Sequence, residues 1–266
     1  MKAGFAEVGG TRLRYALRGE GPALVLVHGF TLSLEMWEPQ VKALSARFRV
    51  LRYDLRGFGK SDPPDGTPYR HAEDLAALLD YLEIPQAVLL GCSMGGGIAI
   101  DFALGFPQRT RGLILFDSAL GGFPYSAEFI AQLAALNAAG RASVEAARRL
   151  WLEHPMFAPV LQSPAAEQFR RIVGAYSGWH WANPDCTRRY ETPAARRLSE
   201  IGAPTLVVVG EQDVPDMRAI ADTLHRSIPG AQKVVLEGVG HMANLENPAS
   251  FNQAVLGFLS SIEGAA

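Results

Sequence analysis

The sequence predicts an α/β fold in which a mostly parallel central sheet is wrapped by helices and interrupted by one helical insertion. Short apolar runs alternate with stretches of helical spacing at both ends of the chain, and glycine-containing turns close several of the runs. Between Gly121 and Glu200 that rhythm stops, no strand pattern is found, and aromatic residues become dense. These observations place one sheet domain over residues 1–120 and 201–266, with residues 121–200 inserted between its halves.

Taken in order, Leu13 to Leu17 alternates as a strand does. Ala23 to Val27 is a continuous apolar run closed by His28-Gly29, which suits a strand covered on both faces. Phe48 to Tyr53 is a second such run and ends in Asp54. His71 to Leu82 carries Leu75, Leu78, Leu79 and Leu82 at helical spacing. Ala87 to Leu90 predicts a strand, Met94 to Leu104 a helix, and Leu113 to Phe116 another strand. Within the insertion, Phe129 to Leu152 has helical composition. The strand rhythm returns at Thr205 to Val209, followed by a helix after Pro215, a strand at Lys233 to Leu236 and a helix from Pro248 to Leu259.

Composition narrows the function. The chain has 266 residues, 48% of them apolar and 20% charged, which excludes intrinsic disorder. A net charge of −2 offers no electrostatic footprint for nucleic acid or an anionic membrane. Cys92 and Cys186 are too few for a disulfide framework and have no zinc-ligand spacing. Met1 to Glu7 lacks the apolar stretch of a signal peptide. Ala87 to Phe106 is apolar but carries Asp101 and five glycines, so it reads as strand, turn and buried helix rather than a membrane span. The expected location is the cytoplasm.

In open parallel sheets, sites form beyond the carboxyl ends of the strands. Ser93 sits there, in Gly91-Cys92-Ser93-Met94-Gly95, between a predicted strand and a predicted helix. A serine on such a sharp turn needs small neighbours two residues away, and its hydroxyl stands clear of the backbone. It also needs a base. Of six histidines, His241 follows the last predicted strand in the glycine-flanked loop Gly238-Val239-Gly240-His241. His28 reads as a buried hydrogen-bonded residue, His71 and His225 as surface residues of helices, and His154 and His180 as residues of the insertion. Asp213, after the Thr205 to Val209 strand, is the candidate acid that orients His241. Asp117 after an earlier strand is its rival, and Asp216 reads as a cap for the helix near Pro215. Charge developing on a carbonyl oxygen calls for backbone donors, for which Met94 N–H and Phe30 N–H are the candidates.

The order Ser93, Asp213, His241, with His28-Gly29 upstream and the turn Asp54-Leu55-Arg56-Gly57-Phe58-Gly59-Lys60-Ser61, resembles the α/β-hydrolase fold family from about Leu13 to Leu259. The Asp54 to Ser61 turn is expected to be structural. The resemblance implies that residues 121–200 form a helical cap over the active site, with Trp179-His180-Trp181 its most pointed cluster. Gly29, Phe30, Trp151, Trp179, Trp181 and Met242 are the expected substrate contacts, and the aromatics could equally form the cap's own small core. The implied activity is a serine hydrolase cleaving small carboxylic esters or lactones through an acyl-enzyme, without metal or organic cofactor. Carbon–carbon bond hydrolysis of diketone or ring-fission products, perhydrolase or acyltransferase chemistry, and a slow-turnover binding module stay open with the same residues. An aspartate-nucleophile chemistry is disfavoured by Ser93.

Overall fold

The computed structural model describes residues 2–263. Eight strands form one sheet: β1 (Lys2–Val8), β2 (Thr11–Arg18), β3 (Ala23–Val27), β4 (Arg49–Tyr53), β5 (Ala87–Cys92), β6 (Thr110–Phe116), β7 (Thr205–Gly210) and β8 (Gln232–Leu236). Their spatial order is β1-β2-β4-β3-β5-β6-β7-β8. The pairs β1/β2 and β2/β4 are antiparallel, and every pair from β4 onward is parallel. Around the sheet and beyond it run α1 (Glu38–Leu44), α2 (His71–Tyr81), α3 (Met94–Gly105), α4 (Ala127–Ala142), α5 (Val144–Leu152), α6 (Ala158–Gln162), α7 (Ala166–Ala175), α8 (Trp179–Ala182), α9 (Pro215–Ser227), α10 (Ala243–Glu246) and α11 (Pro248–Glu263).

The central strands are the ones whose sequences are uninterrupted apolar runs, because helices cover both faces of them. Val25, Leu89, Leu113 and Val207 lie in neighbouring strands and are wholly or almost wholly buried. From β3 the chain adds β4 on one side and then crosses to add β5 on the other. The loops leaving β3 and β5 therefore diverge, which opens a crevice at their carboxyl ends. His28 to Thr31 and Ser93 occupy that crevice.

Two elements carry little sequence signal. Strand β1 is an edge strand in which only Ala6 is buried, so its pattern has no apolar face to read. Helix α1 spans a single apolar face of Val41 and Leu44. In the insertion, the predicted helical stretch from Phe129 to Leu152 is divided at Ser143, which is extended (φ −159°) and accepts the Ala146 N–H at 3.2 Å. A serine that satisfies the first turn of a new helix in this way also ends the old one. Both cysteines are free. Among the described residues no helix is long and apolar enough to cross a membrane.

Candidate active site

Ser93 is, among the described residues, one of four non-glycine residues with positive φ, at φ 52° and ψ −118°. L-residues avoid that conformation at a cost of roughly 1–3 kcal/mol, so the surroundings must enforce it. They do so from two sides. The Ser93 N–H donates to Phe116 O at 3.0 Å, and its carbonyl accepts from Gly96, Gly97 and Ala119. A Cβ at Gly91 would strike the Gly95 backbone, and one at Gly95 would strike the Val27 carbonyl. Only glycine lets β5, α3 and the end of β3 approach so closely.

Asp213 and His241 meet beyond the carboxyl ends of β7 and β8. Both are buried, and His241 Nδ1 lies 2.7 Å from Asp213 Oδ2. Asp213 Oδ1 accepts the Val214 N–H at 2.7 Å, so the turn before α9 holds the carboxylate in place. Glu246 does the same for the histidine loop, accepting from Gly240 N–H at 2.7 Å and from Met242 N–H at 3.1 Å. Sequence reading passed over Glu246, although a carboxylate in the short helix just after a candidate histidine was available as a signal. Among the described residues no hydrogen bond joins the Ser93 hydroxyl to the His241 ring.

Asp117 stands beside this pair. It has φ 41°, is fully buried, and accepts the Gly210 N–H at 3.0 Å through Oδ1, while Oδ2 has no partner. Burial, reinforced by the Asp213 charge, pushes its carboxyl well above the usual range. Ligand atoms of Asp117, Asp213 and His241 lie within 4.8 Å of one another, which is close enough to touch a cation. Backbone N–H groups already occupy one oxygen of each carboxylate, and His241 Nδ1 engages the other oxygen of Asp213.

The remaining histidines are distributed differently from expectation in one case. His28 is buried, accepts Leu55 N–H on Nε2 at 3.0 Å and donates from Nδ1 to Gly29 O at 2.8 Å. Burial keeps it neutral by lowering its pKa. His225 is exposed on α9. His71 is half-buried rather than the surface residue that was expected. Its ring packs edge-on to Tyr69 at 5.0 Å, its Nδ1 is buried without a partner, and burial lowers its pKa to about 3. The reason was present in the spacing, since His71 falls on the same helical face as Leu75, Leu78 and Leu82. Asp216 also departs from expectation. Rather than capping α9, its carboxylate accepts the N–H and hydroxyl of Ser126, each at 2.7 Å, and so ties the start of α4 to the sheet domain.

Phe30 is the hub between the domain and the inserted helices. Its ring lies within 5.7–6.1 Å of Phe58, Trp151, Tyr176, His180 and Trp181. Trp151 Nε1 donates to Thr31 Oγ1 at 2.8 Å, and Thr31 itself has φ 64°. The rings around Phe30 join the insertion to the loop after β3, Trp151, Phe157 and Phe169 pack on one another within the insertion, and Phe30, His180 and Tyr190 line the cavity. Trp181 is buried against Gly140, Trp179 lies half-buried edge-on to His180, and Met242 is fully buried. Gly29 packs next to the Ser93 side chain. A cavity of about 670 Å³ opens beside Phe30 and Met94 and extends to Arg70, Asp101 and Tyr190. Among the described residues neither Phe30 N–H nor Met94 N–H donates to a protein acceptor. The Asp54 turn is built as a scaffold, with Asp54 accepting from Leu34 N–H at 2.7 Å and Lys60 N–H at 2.9 Å.

Residues 22–248 match the family model described as alpha/beta hydrolase fold. This chain belongs to the α/β-hydrolase fold family. Within that family it is 33% identical to 3-oxoadipate enol-lactonase 2 of Acinetobacter baylyi, over 91% of each chain. The solved structure of a hydrolase from Pseudomonas aeruginosa superposes with a TM-score of 0.80 at 32% identity, covering 97% of this chain and 98% of that one. The enol-lactonase from Burkholderia xenovorans gives a TM-score of 0.78 at 28% identity, covering 97% of this chain and all of that one. The α/β-hydrolase fold explains why the loops after β3, β5, β7 and β8 carry the polar residues described above, since those loops share one edge of the sheet.

Proposed function

We propose that this protein is a serine hydrolase that cleaves small carboxylic esters or lactones, with Ser93 as nucleophile, His241 as base and Asp213 as its orienting acid. The observation that carries the reading is the buried 2.7 Å contact between His241 Nδ1 and Asp213 Oδ2, on the sheet edge that also bears Ser93 in its left-handed turn. Donation from Nδ1–H to the carboxylate leaves Nε2 unprotonated and able to accept the Ser93 proton. The bond between base and nucleophile is then made on binding, as it often is when a free site is looser than the complex.

Ser93 Oγ attacks the carbonyl carbon while His241 Nε2 takes its proton. The orphan N–H groups of Phe30 and Met94 receive the oxyanion, each worth about 3 kcal/mol in such sites. Protonated His241 then gives the proton to the leaving alcohol, or to the enol oxygen of a lactone. Water repeats the sequence on the acyl-enzyme. Asp213 is favoured over Asp117 as the acid because His241 Nδ1 engages Asp213 Oδ2 while Asp117 Oδ2 has no partner. The 3-oxoadipate enol-lactonase and Burkholderia enol-lactonase relatives support the lactone branch of this reading. The inserted helices act as a cap over the crevice, held there by the ring contacts of Phe30.

A fluorophosphonate probe, followed by peptide mass analysis, should label Ser93, and Ser93→Ala should lose both labelling and turnover of 4-nitrophenyl butyrate. Retention of turnover in Ser93→Ala would sink the assignment.

A further inference from the structure

The 670 Å³ cavity has a polar end that the ester chemistry does not use. Helix α3 runs along its wall, contributing Met94 near the oxyanion donors and Asp101 at the other end. Seven residues at about 1.5 Å of rise set these positions about 10 Å apart. The cavity wall carries three arginines, Arg70, Arg188 and Arg189, against two aspartates, Asp101 and Asp185. Arg70 stacks over the Tyr190 ring at 4.5 Å and pairs with Glu73 at 2.7 Å through Nη1, yet its buried Nε has no partner. His71 Nδ1 is likewise buried and unpartnered. Tyr176 Oη accepts the His180 N–H at 2.9 Å and lies 2.9 Å from His180 Nδ1, which fixes the ring against Gly57.

The chain from Asp185 to Tyr190 supplies the outer wall. Arg188 spends its charge on Glu73, at 2.8 and 3.0 Å. Asp185 spends its own on the Thr187 N–H and hydroxyl, at 2.9 and 2.6 Å. Arg189 also lines the cavity and, among the described residues, makes no ion pair. Asp101 is the one carboxyl on this wall without a hydrogen bond among the described residues, and burial raises its pKa to about 6. It is thus poised to hold a proton when an anion comes near. A surplus of guanidinium groups on the wall, with Arg189 making no ion pair among the described residues, and a carboxyl that protonates easily suit an anionic group with two acceptor oxygens.

We propose that this end of the cavity, lined by Arg70, His71 and Arg189, is a subsite for a carboxylate, so that the substrate is an ester or lactone bearing an acid group on a chain that spans the roughly 10 Å rise of α3 from Met94 to Asp101. The inference rests on the hydrolase reading above and adds the substrate's charge and length to it. Arg189 meets the anion, with the Arg70 guanidinium on the same wall.

The test compares 4-nitrophenyl monoesters of adipate, suberate and sebacate with neutral 4-nitrophenyl esters of matched chain length. The ratio of kcat/KM, acid over neutral, is expected to exceed one and to peak at suberate. Arg189→Gln should lower that ratio about tenfold, the loss of one charged hydrogen-bonding partner, with the change in KM. Asp101→Asn should raise it. Ratios at or below one at every length, or a ratio that Arg189→Gln does not move, would overturn the subsite while the neutral esters still report a working hydrolase. Calorimetric titration with suberate gives a readout without turnover: binding weakened by Arg189→Gln supports the subsite, and no heat of binding overturns it. Failure of Ser93 labelling would instead count against the hydrolase reading.

Discussion

The loops at the carboxyl edge of the sheet and the helices between β6 and β7 meet at Phe30, but different forces hold them. The loops are set by backbone. Ser93, Asp117 and Thr31 sit in left-handed conformations, and short buried hydrogen bonds fix Asp213 and the His241 loop. The inserted helices are held by side chains, through the rings around Phe30, the Trp151–Thr31 bond and the Ser126–Asp216 bonds. Backbone geometry in a strained turn tolerates few sequences, whereas ring packing tolerates many. One fold can therefore keep its chemistry and change its substrate by altering the inserted segment.

That contrast is open to test, starting with the largest effect. Asp213→Asn should cost about 10⁴-fold in kcat, as neutralising a triad acid does, because the histidine loses its oriented tautomer. Asp117→Asn should cost less than about tenfold, since burial already favours the uncharged form of that group. Steady-state rates on one ester decide between them, and a reversed order would move the acid to β6.

Acidification should strain the packed region next. Burial lowers the pKa of His71 to about 3 and of His180 to about 4. In the unfolded chain both titrate near 6.5, so that state binds more protons in between. Their neutral packing is fully available above pH 6.5 and is lost as pH falls toward the folded values. Between pH 7 and pH 5 each should cost the fold about 2 kcal/mol at most. Urea titrations at the two pH values measure this, and His71→Gln should flatten the dependence. A pH-independent midpoint would show that these rings are not held neutral by burial.

Smaller effects separate the two tethers. Trp151→Phe keeps the ring contact with Phe30 but loses the bond to Thr31, which should lower stability by about 1 kcal/mol and raise KM more than it lowers kcat. Asp216→Ala removes two hydrogen bonds at an exposed site, and thermal melts should register less than about 1 kcal/mol. If Asp216→Ala proves the more damaging, the polar tether rather than the ring cluster holds the insertion.

Much of this molecule is legible in one dimension. The apolar runs of β3, β5, β6 and β7 are readable because each is covered on both faces, and the edge strand β1 is not, because almost nothing covers it. The glycines around Ser93 announce a tight turn before any coordinates are known. The Ser143 break and the Asp216–Ser126 tether are invisible in that reading, since each depends on which partner a short polar side chain finds. His71 shows a readable signal overlooked, for it shares the face of the α2 leucines.

By itself the chain determined the order of its strands and helices, the turn at Ser93 and the positions of polar residues at strand ends, because local periodicity and glycine placement act over a few residues. Only the tertiary structure decided that Asp117 lies against Asp213, that Glu246 braces the His241 loop, and that Arg70, His71 and Arg189 face one cavity. Those relations join residues far apart in the chain, and burial and proximity, which set their charge and partners, exist only once the chain has folded.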